Sequence, residues 1–150
     1  MKFIKQQSVG FYVNALALIV GIAAVAYYLV NAHTDTFTNI GTSALVMALT
    51  VLALLMLVAV LVIRQMPIAR GFAANTLLDV CSLAAPVLLI VSVVSIIASR
   101  VDTFASILTF QQNAHTTADM HSAIVAIVAY FVAALLAVIA SFFKVNKNEQ

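Results

Sequence analysis

The side chains best suited to chemistry lie between the apolar stretches of this chain. His33, His115 and His121 alternate there with Asp35, Asp102 and Asp119. Imidazole and carboxylate are the usual ligands of zinc and other divalent metals. His33, His115, Asp119 and His121 therefore form the candidate metal set. His115 and Asp119 are spaced i, i+4 and share a face if that stretch is helical. His121 then points elsewhere, and the run from His115 to His121 matches no recognised metal spacing. The competing reading is a solvated polar loop, and the expectation is a chain with no metal and no cofactor.

Two further polar signals stand out. Asn14 is the one strongly polar side chain deep in the first apolar run. It is either a contact for a solute or ion, or a partner in an interhelical hydrogen bond, which contributes less than ~2 kcal/mol in a membrane. Arg100 borders the third run, where a rim salt bridge with Asp102 or Asp35, a lipid phosphate or an anion site are the options. Cys81 is the single cysteine. It excludes an intramolecular disulfide framework and a dithiol redox cycle, and it reads as a small buried apolar residue. With no nucleophile–base constellation, the expectation is that the chain is not an enzyme and has no catalytic residues.

The elements that carry these residues follow from composition. Of 150 residues, 65% are hydrophobic and 8% charged, against about 25% charged in soluble domains. Such a chain cannot clothe a soluble surface, and a disordered tail or a nucleic-acid-binding module is equally excluded. Four apolar runs, 11–31, 42–63, 80–99 and 122–143, each suffice to cross a hydrocarbon core of ~30 Å at about 1.5 Å per residue. The first exceeds the about 7–15 apolar residues of a signal peptide and reads as a retained span. Residues 1–150 thus form a single transmembrane domain, an all-α membrane protein with a four-transmembrane-helix antiparallel bundle.

Of seven basic residues, Lys2, Lys5, Arg64, Arg70, Lys144 and Lys147 fall on one side and only Arg100 on the other. The positive-inside rule makes the first side cytoplasmic, so both termini lie inside and the histidines outside. Pro67 and Gly71 read as a turn between spans two and three. After span three, Phe104, Ile107 and Leu108 recur at helical spacing behind Asp102. They predict a short amphipathic helix in the outer interface, with Asp102 as its N-cap.

Spans associate through small residues that let backbones approach. In span one, Asn14, Ala17, Gly21, Ala24, Tyr28 and Asn31 recur at the 3–4 spacing of left-handed packing, forming a packing seam or the wall of a pore. Span four offers Ser122, Ala126, Ala129, Ala133, Ala137 and Ala140. Span three offers Ser82, Ala85, Ser92 and Ser99, interrupted by Leu89 and Ile96. Span two is bulkier, so spans one, three and four are expected to supply the close contacts. Pro86 predicts a kink in span three. Asp35-Thr36-Phe37 and Asp102-Thr103-Phe104 form a faint internal repeat, read either as duplication or as local convergence on an Asp cap and an interfacial Phe.

Gly10-Phe11-Tyr12, Ser99-Arg100-Val101, Thr109-Phe110, Asn113-Ala114 and Thr117-Ala118-Asp119 carry a resemblance. The chain resembles uncharacterised small four-span membrane proteins of Gram-positive bacteria. The resemblance implies a bacterial plasma-membrane location and no particular activity. Together these readings point to a non-enzymatic accessory or interaction subunit in the lipid bilayer, bound to another membrane protein or to its own copies. The alternative is a small transporter or channel component built on the polar seam of span one.

Overall fold

The computed structural model describes residues 8–66 and 71–143. Four helices account for most of them: α1 Val9–Ala32, α2 Ala44–Ile63, α3 Phe72–Thr109 and α4 Ala114–Ser141. Each is long and apolar enough to cross a membrane. Lys2, Lys5, Pro67, Arg70, Lys144 and Lys147 lie outside the described residues, so the predicted turn at Pro67 and most of the charges expected on the cytoplasmic side do too.

Caps and turns set the ends. Ser43 precedes α2, and its hydroxyl accepts from the amide of Val46. Asn113 opens α4 with a capping box, accepting from His115 and Thr116 while the Thr116 hydroxyl accepts from the Asn113 amide. Between α1 and α2 the chain turns at Gly41, whose φ of +62° suits a residue without Cβ.

Contacts at the helix ends show that successive helices alternate in direction. Tyr28 near the end of α1 meets Ser43 at the start of α2. Arg64 after α2 pairs with Asp79 near the start of α3, and Asn31 meets Ser122 near the start of α4. The helices pack in ring order, with α1 against α4 the most extensive pair. Large apolar side chains such as Ile19, Leu55, Leu83, Val94 and Phe131 face outward, while the axis mixes small and polar residues with Leu57, Leu89 and Ile96. An apolar exterior of this kind suits lipid surroundings.

Two expectations are corrected. No separate amphipathic helix follows span three: residues 102–109 continue α3, a single helix of 38 residues. Nothing between Ser99 and Asp102 breaks the helix, and Asp102 sits in its interior rather than at a cap. Ile107 is buried beside Phe37 and Ala123, and Phe104 packs on the same cluster, so this face meets the bundle instead of lying flat in the interface. At its other end α3 begins at Phe72, within the stretch 64–79 expected to be a linker.

Span two is also no more exposed than span one. Val46, Thr50, Ala53, Leu57 and Val60 form its buried face. Thr50 and Ala53 supply the small positions, and Leu89 and Ile96 of α3 are buried rather than interrupting that helix's seam. The two Asp-Thr-Phe triplets differ locally, a turn at 35–37 and helix interior at 102–104. Their phenylalanines nevertheless meet edge to face at 5.9 Å.

Candidate functional site

The polar groups of the bundle fall into three places along its axis. At one end α1 and α3 bring Asn31 and Arg100 together. Arg100 is the largest fully buried side chain, at 0% exposure. Its Nε donates to Asn31 Oδ1 at 2.7 Å and its Nη1 to Ser99 Oγ at 3.2 Å. The guanidinium carbon lies 5.0 Å from the Tyr28 ring centroid and 5.3 Å from that of Phe37. Aromatic faces attract a cation, by up to ~2 kcal/mol when both are desolvated. Nη2 has no hydrogen-bond partner among the described residues. The expected rim salt bridge is therefore overturned. Continuation of α3 carries Arg100 onto the packing face, where it meets an amide and two rings in place of a carboxylate.

Asn31 is the hub of this end. Its Nδ2 donates to the Asp119 carbonyl at 3.2 Å and to Ser122 Oγ at 2.8 Å. The Asp119 carboxylate in turn accepts from the Thr36 hydroxyl at 2.5 Å and the Thr36 amide at 3.3 Å. These bonds fasten the turn 33–43 over the bundle end, with Phe37 buried beneath it. Tyr28 adds a further tie, its hydroxyl accepting from the Ser43 amide at 2.8 Å.

The four metal candidates do not converge. His115 Nδ1 is 3.5 Å from Asp119 Oδ2, and its Nε2 is 3.7 Å from Asp35 Oδ2. His33 is exposed and turns back to the Leu29 carbonyl, and His121 is exposed. Among the described residues no group of three histidine, cysteine or acidic side chains is placed to hold a metal ion. Exposed pairs such as His115–Asp35 contribute ~0–1 kcal/mol.

Midway along the axis Thr50 Oγ1 donates to the Val46 carbonyl at 2.7 Å and lies 3.3 Å from Ser92 Oγ and 3.2 Å from the Tyr130 hydroxyl. This buried cluster joins α2, α3 and α4. Tyr130 also meets Tyr28 edge to face at 6.3 Å, linking the middle to the Arg100 end. Pro86 is buried inside α3.

At the opposite end all four helices open into a cleft of about 130 Å³ lined by Asn14, Val60, Arg64, Asp79, Ser82 and Ser141. Asn14 is 2% exposed, and its Oδ1 has no hydrogen-bond partner among the described residues. The rest of the span-one seam, Ala17, Gly21, Ala24, Tyr28 and Asn31, is buried above it. One turn further in, Ala17, Leu57, Ala85 and Ala137 belong to the apolar core, so the cleft ends there.

Sequence reasoning missed the burial of Arg100 and the Thr50–Ser92–Tyr130 cluster. One signal was available for Arg100. Ala85, Leu89, Ser92, Ile96 and Arg100 recur at 4, 3, 4, 4, which puts the arginine on the packing face. No family model matches the chain, and no curated protein or solved structure matches it. The chain is a multi-pass membrane protein with four candidate spans.

Proposed function

We propose that this chain is a non-enzymatic integral membrane subunit that acts through its lateral surface, by self-association or by holding another membrane protein. The observation that carries the reading is the closed axis. Arg100 sits under Tyr28 and Phe37 at one end, and Ala17, Leu57, Ala85 and Ala137 fill the section inside the Asn14 cleft. A bundle packed shut in this way has its outer faces left for recognition. We place it in a bacterial plasma membrane with both termini cytoplasmic. The bias of Lys2, Lys5, Arg64, Arg70, Lys144 and Lys147 to one side supports that orientation.

Crosslinking in native membranes, followed by native mass spectrometry in mild detergent, tests the reading. A defined oligomer or a stoichiometric partner is expected, and a strictly monomeric protein without a partner overturns it. The second reading, a small transport component, is favoured by the polar cleft at Asn14. It requires solute flux in proteoliposomes that Asn14→Leu abolishes.

A further inference from the structure

The turn 33–43 is hydrogen-bonded to α4 at one carboxylate oxygen. Asp119 Oδ2 accepts from the Thr36 hydroxyl at 2.5 Å and from the Thr36 amide at 3.3 Å. The same oxygen lies 3.5 Å from His115 Nδ1. On the other edge of that ring, Nε2 lies 3.7 Å from Asp35 Oδ2, on the turn itself. One imidazole thus stands between two carboxylates, one on the turn and one on α4, with a different nitrogen towards each.

Ring chemistry makes this placement depend on a proton. A neutral imidazole has one N–H, and its other nitrogen is a bare acceptor. Whichever tautomer forms, one of the two carboxylates then meets a lone pair. The imidazolium has a donor on both nitrogens and sets a positive charge between two negative ones. Only this form joins the turn to α4 through the ring. The remaining ionisable groups at this end are His33 on the turn, Tyr27 and Tyr28 on α1, Arg100 and Asp102 on α3, and His121 on α4. Among the described residues, Asp35 and Asp119 are the carboxylates within ion-pair distance of His115. Arg100 is buried against Tyr28 and Phe37, and His33, Asp102 and His121 are exposed.

We propose that His115 is a proton-operated clasp, which on protonation bridges Asp35 and Asp119 and fastens the turn over the buried Phe37 and Arg100. A histidine changes charge between about pH 5 and 8. The bridge is therefore present on the acid side of that range and is lost as the pH rises through it. The side chain of His115 is 65% exposed, so the aqueous phase at this end reaches it directly. Acidification tightens the cover of the Arg100 end, and neutral conditions loosen it. This inference goes beyond the subunit reading and does not depend on it.

The test uses the full chain in nanodiscs, with amide hydrogen exchange read near about pH 5.5 and about pH 7.5. Rates are converted to protection factors, which removes the intrinsic pH dependence of exchange. The probes are the amides of Thr36, Phe37, Thr38, Ile40 and Gly41, each of which donates a hydrogen bond. In wild type their protection is expected to rise about threefold at the acid pH, the scale of exposed ion pairs, while amides around Thr50 stay level. His115→Gln keeps a polar side chain without the charge and is expected to remove the rise. Asp35→Asn is expected to diminish it, and His33→Gln and His121→Gln to leave it in place. Circular dichroism checks that each variant folds.

Equal protection at the two pH values in wild type, or weaker protection at the acid one, overturns the proposal. A rise that persists in His115→Gln assigns the effect to the carboxylates and overturns it as well. An undiminished rise in Asp35→Asn removes the bridge between the two elements, and its loss in His33→Gln or His121→Gln assigns the proton to another ring; either result overturns the clasp.

Discussion

Removing the acceptor of Arg100 should damage the protein more than removing Arg100 itself. Asn31→Leu deletes the one side-chain oxygen that accepts from the buried Nε at 2.7 Å, with a residue of similar size in its place. The guanidinium is then left at 0% exposure with only Ser99 Oγ and two aromatic faces. Stripping a partner from a buried charge costs about 3–5 kcal/mol. The two bonds of Asn31 Nδ2 add roughly 0.6 kcal/mol each on the scale measured between membrane helices. Arg100→Met instead removes the charge together with its desolvation cost. It loses the cation–ring attraction and orphans the Asn31 oxygen, a net cost of about 1–2 kcal/mol. The double variant should therefore be more stable than additivity allows, with a coupling of about 2 kcal/mol. Unfolding of all four proteins by sodium dodecyl sulfate in bicelles, followed by circular dichroism, measures the cycle. Additivity within about 0.5 kcal/mol, or a larger cost for Arg100→Met than for Asn31→Leu, refutes the reasoning.

Three further outcomes follow from geometry. A Cβ at Gly21 would meet Leu54 Cδ2 at 2.7 Å and Ala133 Cβ at 4.0 Å. Gly21→Ala should cost about 1 kcal/mol or less as the flexible leucine swings aside, while Gly21→Leu should cost about 3 kcal/mol or more and recover part of that loss with Leu54→Ala, read by the same unfolding assay. Tyr130→Phe removes a single 3.2 Å contact to Thr50, so a loss near ~0.6 kcal/mol with an unchanged circular dichroism spectrum is expected. Asp119→Ala deprives the Thr36 amide and hydroxyl of their acceptor; hydrogen exchange at Thr36 and its neighbours should accelerate at least about tenfold, while amides around Thr50 keep their protection.

The four helices were legible because lipid tolerates so little charge: apolar runs bounded by polar residues state their own ends roughly. The same reasoning failed where charge is not a boundary. Arg100 looked like the end of span three, yet the backbone continues through it to Thr109, because Asn31, Tyr28 and Phe37 surround the guanidinium. Those partners come from α1 and the turn after it, far away in sequence, and no local pattern announces them. Residues 72–79 fall between the apolar runs 42–63 and 80–99, although Ala73, Ala74, Leu77 and Leu78 are good helix formers. In span one the 3–4 spacing of small residues coincides with the buried positions. In span two the equivalent notch, Thr50 with Ala53, is hidden among leucines. The cleft at Asn14 was half legible: the amide could be seen in the sequence, but Ser82 and Ser141 join it only through the packing of α3 and α4.

The surroundings of Arg100 also bear on how the protein is made. Asn31, Tyr28, Phe37 and Ser99 all precede Arg100 in the chain. Synthesis runs from the N-terminus, so each of these hydrogen-bond and ring partners has emerged from the ribosome before the arginine does. The third helix can deliver its charge into a waiting receptacle while the fourth is still untranslated. Helix four then locks Asn31 from behind through Asp119 and Ser122, which makes a segment translated after the arginine the latch on a charge already housed.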